Sequence, residues 1–262
     1  MPKVSVLIPL YNCEKTVRRS IASIRSQTYR DFEVIAVDNN CTDKTINIVK
    51  EFSDDFELKV IKCPEKGIVP ALNTGLRACT GDWIARQDGD DYWYPEKLQK
   101  QMEFLSNNPD IDILGTQIRL IDENGNVQSV GTMGKEIYYP TEDHEIKGGL
   151  LYGQNTICHP SVIFRKSVIN VIGGYERFFP LAEDLHFWCR AFPHFRFANV
   201  DEVLVDYTQK YDDTYDARIP LLIGDTYYNL YKTAGLVVGE REQKVYDWQL
   251  DPNSHGRAKG RR

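Results

Sequence analysis

Three carboxylates stand within four positions in the segment Asp88-Gly89-Asp90-Asp91, directly after the short apolar run at 83–85. Like charges at this spacing repel each other unless a cation lies among them. Oxygen-only ligands suit Mg²⁺ or Mn²⁺ rather than Zn²⁺, and Mg²⁺ takes much of its shell from water and substrate phosphates. The segment therefore predicts a divalent-metal clamp for a diphosphate, with Asp90 as the first choice of ligand and Asp88 on a ribose or on the metal. The alternative is a solvated acidic turn that caps a helix starting near Pro95.

A fourth carboxylate, Asp38, ends a buried strand, where it can accept a hydrogen bond from a ring N–H such as the imide of uracil. The neighbouring strand ends at Pro9 and Tyr11, and the tyrosine offers a flat face for the same base. Asp38 can instead cap a helix that begins near Thr42, although Asp43 already serves that helix start. We therefore predict a nucleotide contact for Asp38 and its neighbours.

The pair Lys66-Gly67 opens a predicted helix. A lysine beside a helix N-terminus, with a glycine that lets the backbone approach, suits an anionic group. A solvated loop lysine is the alternative. Asn73 lies two turns further along the same helix and is expected to reach toward the nucleotide.

The pair Glu183-Asp184 begins an amphipathic helix, where carboxylates favour the positive end of the helix dipole. The plain interpretation is N-capping. The other is a general base that removes the proton of an attacking hydroxyl, a role worth roughly 10²–10⁴-fold in rate. The preceding Gly173-Gly174-Tyr175 is expected to be a flexible loop that shapes an acceptor pocket. His159, kept extended by Pro160, either contacts the diphosphate or acceptor or is a hydrogen-bonded structural histidine.

The elements that must position these residues alternate between two periodicities. Strand–helix alternation predicts a parallel, doubly wound sheet, whose ligands bind beyond the carboxyl ends of the strands. Polar clusters end the first, second and fourth strands and should meet in one crevice. Strands are predicted at 4–9, 32–37, 58–61 and 83–85, and helices at 14–27, 42–52 and 68–78.

The second half of the chain is less regular. We predict one domain over 1–250, with a nucleotide-sugar half at 1–91, an acceptor half at 92–250, and a disordered basic tail at 251–262. Strands are predicted at 111–121, 161–164 and 203–207, helices at 95–105, 165–172, 183–191 and 220–231, and a hairpin turn at 123–126.

The composition is that of a soluble globular protein, with 42% hydrophobic and 27% charged residues. A net charge of −6 argues against a general nucleic-acid binder. No apolar run reaches the length of a membrane span, and the first residues read as a strand rather than a signal peptide. Six isolated cysteines indicate reduced thiols in a cytoplasmic protein. The basic tail allows at most peripheral contact with an anionic membrane face, and a functionless end is the alternative.

Together these segments resemble the family 2 glycosyltransferases, which have the GT-A fold. The stretch 4–12 is similar to the family's opening strand, and 27–38 to the run into its uracil-binding aspartate. Asp88-Gly89-Asp90 is similar to its Asp-x-Asp metal motif. The segments 159–162, 173–175 and 183–184 resemble its acceptor-side motifs, the last of which carries the base. The resemblance covers residues 3–210 and depends on order as well as spacing.

The resemblance implies an inverting, metal-dependent transfer of one sugar from a nucleotide-diphosphate donor, UDP-linked, to a hydroxyl of a glycan, a lipid-linked sugar or another acceptor. Single addition is expected because the Gln-x-x-Arg-Trp motif of processive synthases is absent. By this resemblance Asp184 is the base, and Asp90 and Asp88 hold Mn²⁺ or Mg²⁺. The full set of predicted site residues, from the residues themselves and from the resemblance, also includes Pro9, Tyr11, Asp38, Lys66, Asn73 and Gly89 with Asp88 on the donor side, and His159, Tyr175, Glu183 and Trp188 on the acceptor side.

One motif departs from the family pattern Asp-Asp-Gly-Ser-x-Asp. Here the run reads Asp38-Asn39-Asn40-Cys41-Thr42-Asp43, so the second carboxylate and the glycine are missing. The departure leaves room for a degenerate module that binds a sugar nucleotide or glycan without turnover. A sugar nucleotidyltransferase is a further alternative, but residues 9–19 contain no glycine for its phosphate loop.

Overall fold

The computed structural model describes residues 3–128, 137–177, 182–209 and 218–233. The first half of the chain contains β1 (Val4–Leu10), α1 (Val17–Arg25), β2 (Phe32–Asp38), α2 (Thr45–Lys50), β3 (Glu57–Lys62), α3 (Ile68–Ala78), β4 (Trp83–Arg86), β5 (Tyr92–Trp93) and α4 (Lys97–Asn107). The second half contains β6 (Ile113–Ile121), β7 (Val127–Gln128), α5 (Asp143–Leu151), a 3₁₀ turn (His159–Ser161), β8 (Ile163–Arg165), α6 (Ser167–Ile172), α7 (Glu183–Ala191), β9 (Phe197–Thr208) and α8 (Arg218–Thr233).

The strands of these residues form one nine-stranded sheet in the order β3-β2-β1-β4-β8-β6-β9-β5, with β7 paired to β6. The first four strands pair in parallel, as the strand–helix alternation predicts. The second half is mixed, because β8 runs antiparallel to β4 and β6, whereas β9 is parallel to β6 and antiparallel to β5. Strands from both halves of the chain thus share one sheet, and the single-domain assignment stays a prediction.

The direction of β8 matters for the site, because the chain reaches this strand at the edge where β4 ends. Ala85 pairs with Ile163, and the N–H of Arg86 donates to the carbonyl of Val162 at 3.0 Å. The 3₁₀ turn that contains His159 therefore lies beside the acidic segment that follows β4.

Helices cover both faces of the sheet and explain why the first strands are apolar throughout. Along β2, the side chains of Val34 and Ala36 pack with α1, α2 and α4. Those of Ile35 and Val37 pack on the other face with α3 and α5 to α8. A strand that is buried on both faces has no polar side to alternate with, so its sequence is nearly continuously apolar.

Helices α1 and α2 begin three residues later than predicted. The residues before both helices form cross-links between the two strand ends, and before α1 they also form one turn, in which the N–H of Val17 donates to the carbonyl of Cys13 at 2.8 Å. Asn12 Oδ1 accepts the N–H of Thr42 at 2.8 Å, and Glu14 Oε2 accepts the N–H of Lys44 at 2.9 Å. Asp43 returns the contact by accepting the N–H of Glu14 at 3.0 Å. These bonds fix the two loops against each other at the carboxyl edge of the sheet.

All six cysteines are free thiols, and four of them are buried. None of the helices in the described ranges is long and apolar enough to cross a bilayer. The predictions for the tail at 251–262 lie outside the described residues.

Glu33 on β2 is a fully buried carboxylate with four hydrogen-bond contacts. It accepts from Ser5 Oγ at 2.6 Å, from the hydroxyl and N–H of Thr80 at 2.6 and 2.7 Å, and from Lys59 Nζ at 2.7 Å. Burial alone would raise the pKa of Glu33, but the bonds from Lys59, Ser5 and Thr80 outweigh it and lower the pKa to about 2. The ionised carboxylate is therefore part of the folded core.

We expect Glu33→Gln to lower the free energy of unfolding by about 2–3 kcal/mol at pH 7, because it leaves buried donors without their anion. In the wild type this contribution is present above pH 4.5 and is lost as the pH falls toward 2, since the folded pKa lies below the unfolded one. Urea unfolding at several pH values measures both effects. Glu57→Gln is the control, because Glu57 also contacts Lys59 Nζ, at 3.0 Å, but its side chain is 55% exposed. Equal midpoints for the two variants would contradict the assignment.

Candidate active site

The carboxyl ends of β1, β2 and β4 lie side by side, as the parallel arrangement requires. Leu10 pairs with Asp38, the N–H of Asn39 donates to the carbonyl of Leu10 at 2.9 Å, and that of Gln87 donates to the carbonyl of Leu7 at 3.0 Å. The three polar clusters that the sequence places at strand ends are thus neighbours along one edge of the sheet.

A cavity of about 350 Å³ opens at the ends of β1 and β2, against the start of α3. Its walls combine an aromatic ring, a cation and apolar surface. The ring of Tyr11 is 55% exposed, so its face is accessible to a planar ligand. Three predicted donor-side residues meet here, since the lining consists of Pro9, Leu10, Tyr11, Asn39, Lys66, Gly67, Ile68 and Ala71.

The residues that replace the family's Asp-Asp-Gly-Ser run keep a well-defined turn. Asp38 Oδ1 accepts the N–H of Cys41 at 2.8 Å and does not cap α2, which begins only at Thr45. Asn40, at the position of the family's glycine, has a φ of 66°. Asparagine is among the few non-glycine residues that tolerate this left-handed conformation. The missing glycine therefore costs the turn little.

Asn39 stands where the family pattern has its second aspartate, and its amide holds the loop before α3. Its Oδ1 accepts the N–H of Gly67 at 2.9 Å, and its Nδ2 donates to the carbonyl of Glu65 at 2.7 Å. A carboxylate has no N–H for the second bond. The substitution thus fixes Lys66 at the cavity through a neutral side chain.

The three carboxylates of the acidic segment form a cluster in which one oxygen of each lies within 4.8 Å of the others. Asp91 does not cap α4: its Oδ1 accepts the N–H of Thr208, at the end of β9, at 2.7 Å. Its Oδ2 is buried without a hydrogen-bond partner among the described residues. Burial and the charges of Asp88 and Asp90 raise the pKa of Asp91 well above its usual value. A hard divalent cation fits this set of oxygen donors and would satisfy the unpartnered atom.

Arg86, the last residue of β4, is the buried counterion of the cluster. Its guanidinium forms an ion pair with the carboxylate of Asp88, and its side chain is 4% exposed. Burial alone would lower the pKa of Arg86, but the neighbouring Asp88 outweighs burial and raises it. The arginine is therefore charged and offsets part of the repulsion among the three carboxylates.

Asp184 stands in the first turn of α7, and both of its oxygens are held. Oδ1 accepts the N–H of Leu185 at 2.7 Å, and Oδ2 accepts the side-chain amide of Asn155 at 2.5 Å. The N-cap position itself is Ala182, so neither carboxylate of the pair is the cap. Desolvation raises the pKa of Asp184 despite these two bonds, and desolvation together with Asp184 raises that of Glu183 to about 7. The two carboxyls thus titrate closer to neutrality than free ones.

Three residues that we expected on the acceptor side lie instead in the core. His159, Tyr175 and Trp188 are 6%, 3% and 0% exposed. His159 Nε2 and the Tyr175 hydroxyl are 2.9 Å apart, and burial lowers the pKa of His159 well below its usual value. Tyr175 stacks on Phe187 with ring centroids 4.4 Å apart. Rings buried to this extent present almost no surface to an acceptor.

We expected Asn73 to reach toward the nucleotide, but both ends of its side-chain amide bind the backbone of Tyr175 instead. Nδ2 donates to the Tyr175 carbonyl and Oδ1 accepts the Tyr175 N–H, each at 2.8 Å. A Cβ on Gly174 would stand 2.2 Å from Asn73 Oδ1, which explains the second glycine of the pair. From the other side, Arg190 of α7 donates to the carbonyls of Ile172 and Gly174 at 2.6 and 2.5 Å. The loop at 173–175, which we predicted to be flexible, is therefore hydrogen-bonded to both α3 and α7.

Comparison with known proteins decides the family. The sequence profile described as "Glycosyl transferase family 2" matches residues 5–173. The chain belongs to this family. Among its relatives, "Putative glycosyltransferase EpsE" of Bacillus subtilis is 35% identical over 209 residues, which cover 78% of this chain and 72% of the relative. "O-antigen biosynthesis glycosyltransferase WbnJ" of Escherichia coli is 34% identical over 78% of each chain. This family 2 protein is accordingly a glycosyltransferase.

Solved structures confirm the predicted GT-A fold. The Staphylococcus aureus TarS fragment 1-349, in complex with UDP-GlcNAc, superposes with a TM-score of 0.66 at 22% identity, over 93% of this chain and 78% of that one. The mannosyltransferase PcManGT of Pyrobaculum calidifontis, in complex with GDP-Man and Mn²⁺, gives 0.65 at 19% identity, over 100% and 76%. At these identities the likeness concerns the fold.

Several residues of the candidate site were not predicted from the sequence. Arg86 could have been predicted, because it is a charged residue at the end of a buried strand and a buried charge needs a partner of opposite charge. Asn155 and Thr208 gave no local signal, since they meet Asp184 and Asp91 only through long-range contacts.

Glu183→Gln should flatten the dependence of stability on pH. The folded pKa of Glu183, about 7, lies above the ordinary 4.5, so its neutral form stabilises the fold at low pH and that stabilisation is lost as the pH rises from 4.5 through 7. The variant is expected to exceed the wild type by about 2 kcal/mol in unfolding free energy at pH 8. Urea unfolding between pH 4.5 and 8 measures this, with the exposed Glu145→Gln as control. A slope equal to that of the wild type would refute it.

Proposed function

We propose that this glycosyltransferase inverts the anomeric centre as it moves one sugar from a UDP-linked donor to a hydroxyl of a glycan or lipid-linked acceptor. The observation that carries the proposal is the buried, unpartnered oxygen of Asp91 within the acidic cluster, at the same sheet edge as the Tyr11 cavity. An anionic ligand that extends from the cavity to a cation held by the cluster would account for both.

The donor's nucleotide occupies the cavity at the ends of β1 and β2. Its base stacks on the exposed ring of Tyr11, and Asp38, which uses one oxygen for the turn, accepts a ring N–H with its remaining lone pairs. Lys66 lines the same cavity and supplies positive charge for the diphosphate. Pro9 and the backbone at Gly89 complete the donor side.

Asp88, Asp90 and the free oxygen of Asp91 would hold Mn²⁺ or Mg²⁺. A divalent cation bound there supplies Lewis-acid neutralisation of the charge on the leaving diphosphate. The complex of PcManGT with GDP-Man and Mn²⁺ supports a metal, whereas that of TarS with UDP-GlcNAc supports a uridine nucleotide.

Asp184 is the general base. Asn155 and the N–H of Leu185 orient its carboxylate, and the raised pKa makes it a stronger proton acceptor. The acceptor hydroxyl gives its proton to Asp184, and its oxygen forms a bond to the anomeric carbon. The bond from that carbon to the diphosphate breaks on the opposite face, and the diphosphate leaves with the electron pair. One displacement of this kind inverts the centre.

The acceptor class rests on the name of one relative, the O-antigen biosynthesis enzyme WbnJ, which supports a surface polysaccharide or its lipid-linked precursor. The cytoplasmic location expected from the unpaired cysteines, with at most peripheral membrane contact, is part of the same proposal.

A thermal-shift panel of UDP- and GDP-sugars, each with Mn²⁺ or with EDTA, tests the donor and the metal together. A donor at one hundred times its dissociation constant adds about 2.7 kcal/mol, or about 5–10 °C in Tm, to a protein of this size. We expect one UDP-sugar to give that shift only with Mn²⁺. UMP, which lacks the diphosphate, is the control. A folded protein that no nucleotide-sugar stabilises would refute the proposal, and binding without release of nucleoside diphosphate would indicate a binding module.

A further inference from the structure

The backbone carbonyls of the acidic segment are all engaged by side chains, mostly from α1. Ser20 Oγ donates to the carbonyl of Asp88 at 2.6 Å, and Thr16 Oγ1 donates to that of Gly89 at 2.9 Å. Arg19 donates to the carbonyl of Asp90 at 2.7 Å. We call Thr16, Arg19 and Ser20 the α1 seam. Thr16 is the N-cap residue of α1, and Arg19 and Ser20 follow it within the helix at i+3 and i+4, so the three side chains lie on one side of the helix start.

Two further contacts close the set from other directions. Thr208 Oγ1 donates to the same Asp90 carbonyl at 2.6 Å, and Gln87 Nε2 donates to the Asp91 carbonyl at 3.2 Å. The loop is also seated tightly, because a Cβ on Gly89 would stand 2.7 Å from Cys13 Sγ. Each carbonyl of the segment accepts a hydrogen bond, which restrains the backbone, and the carboxylate side chains are the groups that can serve as ligands.

We propose that the α1 seam holds the acidic loop in its metal-binding conformation before the cation arrives, and that Ser20 and Thr16 are positioning residues for the metal. This inference rests on the metal site of the proposed function. Three carboxylates in one small cluster repel each other and would separate in a mobile loop. Hydrogen bonds that fix the backbone prevent this, so the cation need not order its own ligands.

The sequence distinguishes the seam from ordinary helix packing through Ser23. This serine is also buried, lies one turn along the same helix, and accepts the N–H of Trp93 at 3.1 Å. Trp93 stands outside the acidic loop. Ser20→Ala and Ser23→Ala therefore each remove one buried serine hydroxyl from α1, and only Ser20→Ala removes a hydrogen bond to the acidic loop. Both changes are neutral, unlike removal of Arg19, which would also alter the charge near the cation.

The experiment is a titration of the 262-residue chain with Mn²⁺ alone. The electron paramagnetic resonance signal of free Mn²⁺ measures binding, and urea unfolding of the same variants measures stability. We expect Ser20→Ala to weaken Mn²⁺ binding about tenfold, in the range typical for outer-shell partners of metal ligands. Thr16→Val, which removes the bond to Gly89 from a partly exposed position, should act in the same direction. Ser23→Ala should keep the wild-type affinity even where it lowers stability.

The outcomes separate the two ideas. Wild-type protein that binds no Mn²⁺ in the absence of donor would overturn the seam inference, whereas donor binding that is equal in Mn²⁺ and in EDTA would overturn the metal site of the proposed function and the seam inference with it. Wild-type binding that Ser20→Ala and Thr16→Val leave unchanged would overturn the seam inference alone. Equal weakening by Ser20→Ala and Ser23→Ala would also overturn it, because the effect would then come from helix packing.

Discussion

Asp184→Asn is expected to reduce sugar transfer by roughly 10²–10⁴-fold, the usual contribution of a positioned general base. The amide keeps the shape of the carboxylate but cannot take up the proton of the acceptor hydroxyl. Donor binding should be unchanged, since Asp184 holds Asn155 and the N–H of Leu185 rather than any residue of the donor cavity. The loss should therefore appear in kcat.

The measurement is release of nucleoside diphosphate from the donor that the thermal panel identifies, because this release accompanies attack by an acceptor or by water. Asp143→Asn is a matched control: Asp143 is likewise an acid in the first turn of a helix, α5. Donor affinity is followed by the thermal shift. Wild-type turnover in the Asp184 variant would remove this residue from the mechanism.

Asp90→Ala should abolish the part of donor binding that depends on metal. Loss of a direct ligand should exceed the roughly 10–100-fold that loss of an outer-shell partner costs in metal affinity. With Mn²⁺ present, the variant's donor dissociation constant should rise to the value that the wild type shows in EDTA. The remaining carboxylates, Asp88 and Asp91, also lose the neighbour whose charge raises the pKa of Asp91.

Calorimetric titration of the donor, with Mn²⁺ and with EDTA, measures both values. Asp110→Ala is the control, because Asp110 is an exposed carboxylate whose partner is Arg196 at 2.7 Å, outside the acidic cluster. A dissociation constant equal to that of the wild type in Mn²⁺ would show that Asp90 is not a metal ligand.

Much of the fold could be predicted from sequence, because its signals are local. The bounds of α3 and α7 agree with the structure to the residue, since each helix has a clear apolar face. The predicted starts of α1 and α2 were three residues too early, because the side chains of Asn12, Glu14 and Asp43 form hydrogen bonds between the two loops that precede these helices. No propensity within either helix reports such a contact.

The candidate site divides in the same way. Several carboxylates at one strand end indicate a cation site from the sequence alone, so the acidic cluster could be predicted. A motif does not say whether its residues face a ligand or the core. Tyr175 and Trp188 belong to recognisable segments but are buried, and Asn73 holds the backbone of Tyr175 instead of a nucleotide. Ser20 went unnoticed because a serine among the apolar residues of α1 reveals nothing until the acidic loop is in place.

Asn73 on α3 and Arg190 on α7 grip the same short loop through four hydrogen bonds. A hinge between the two helices would have to break these bonds, at a net cost of about 1 kcal/mol each. We therefore expect α3, which begins at the donor cavity, and α7, which carries Asp184, to move as one rigid unit. Substrate exchange should leave the separation of α3 and α7 unchanged, and any closure over the sugar should come from segments that move relative to this pair of helices.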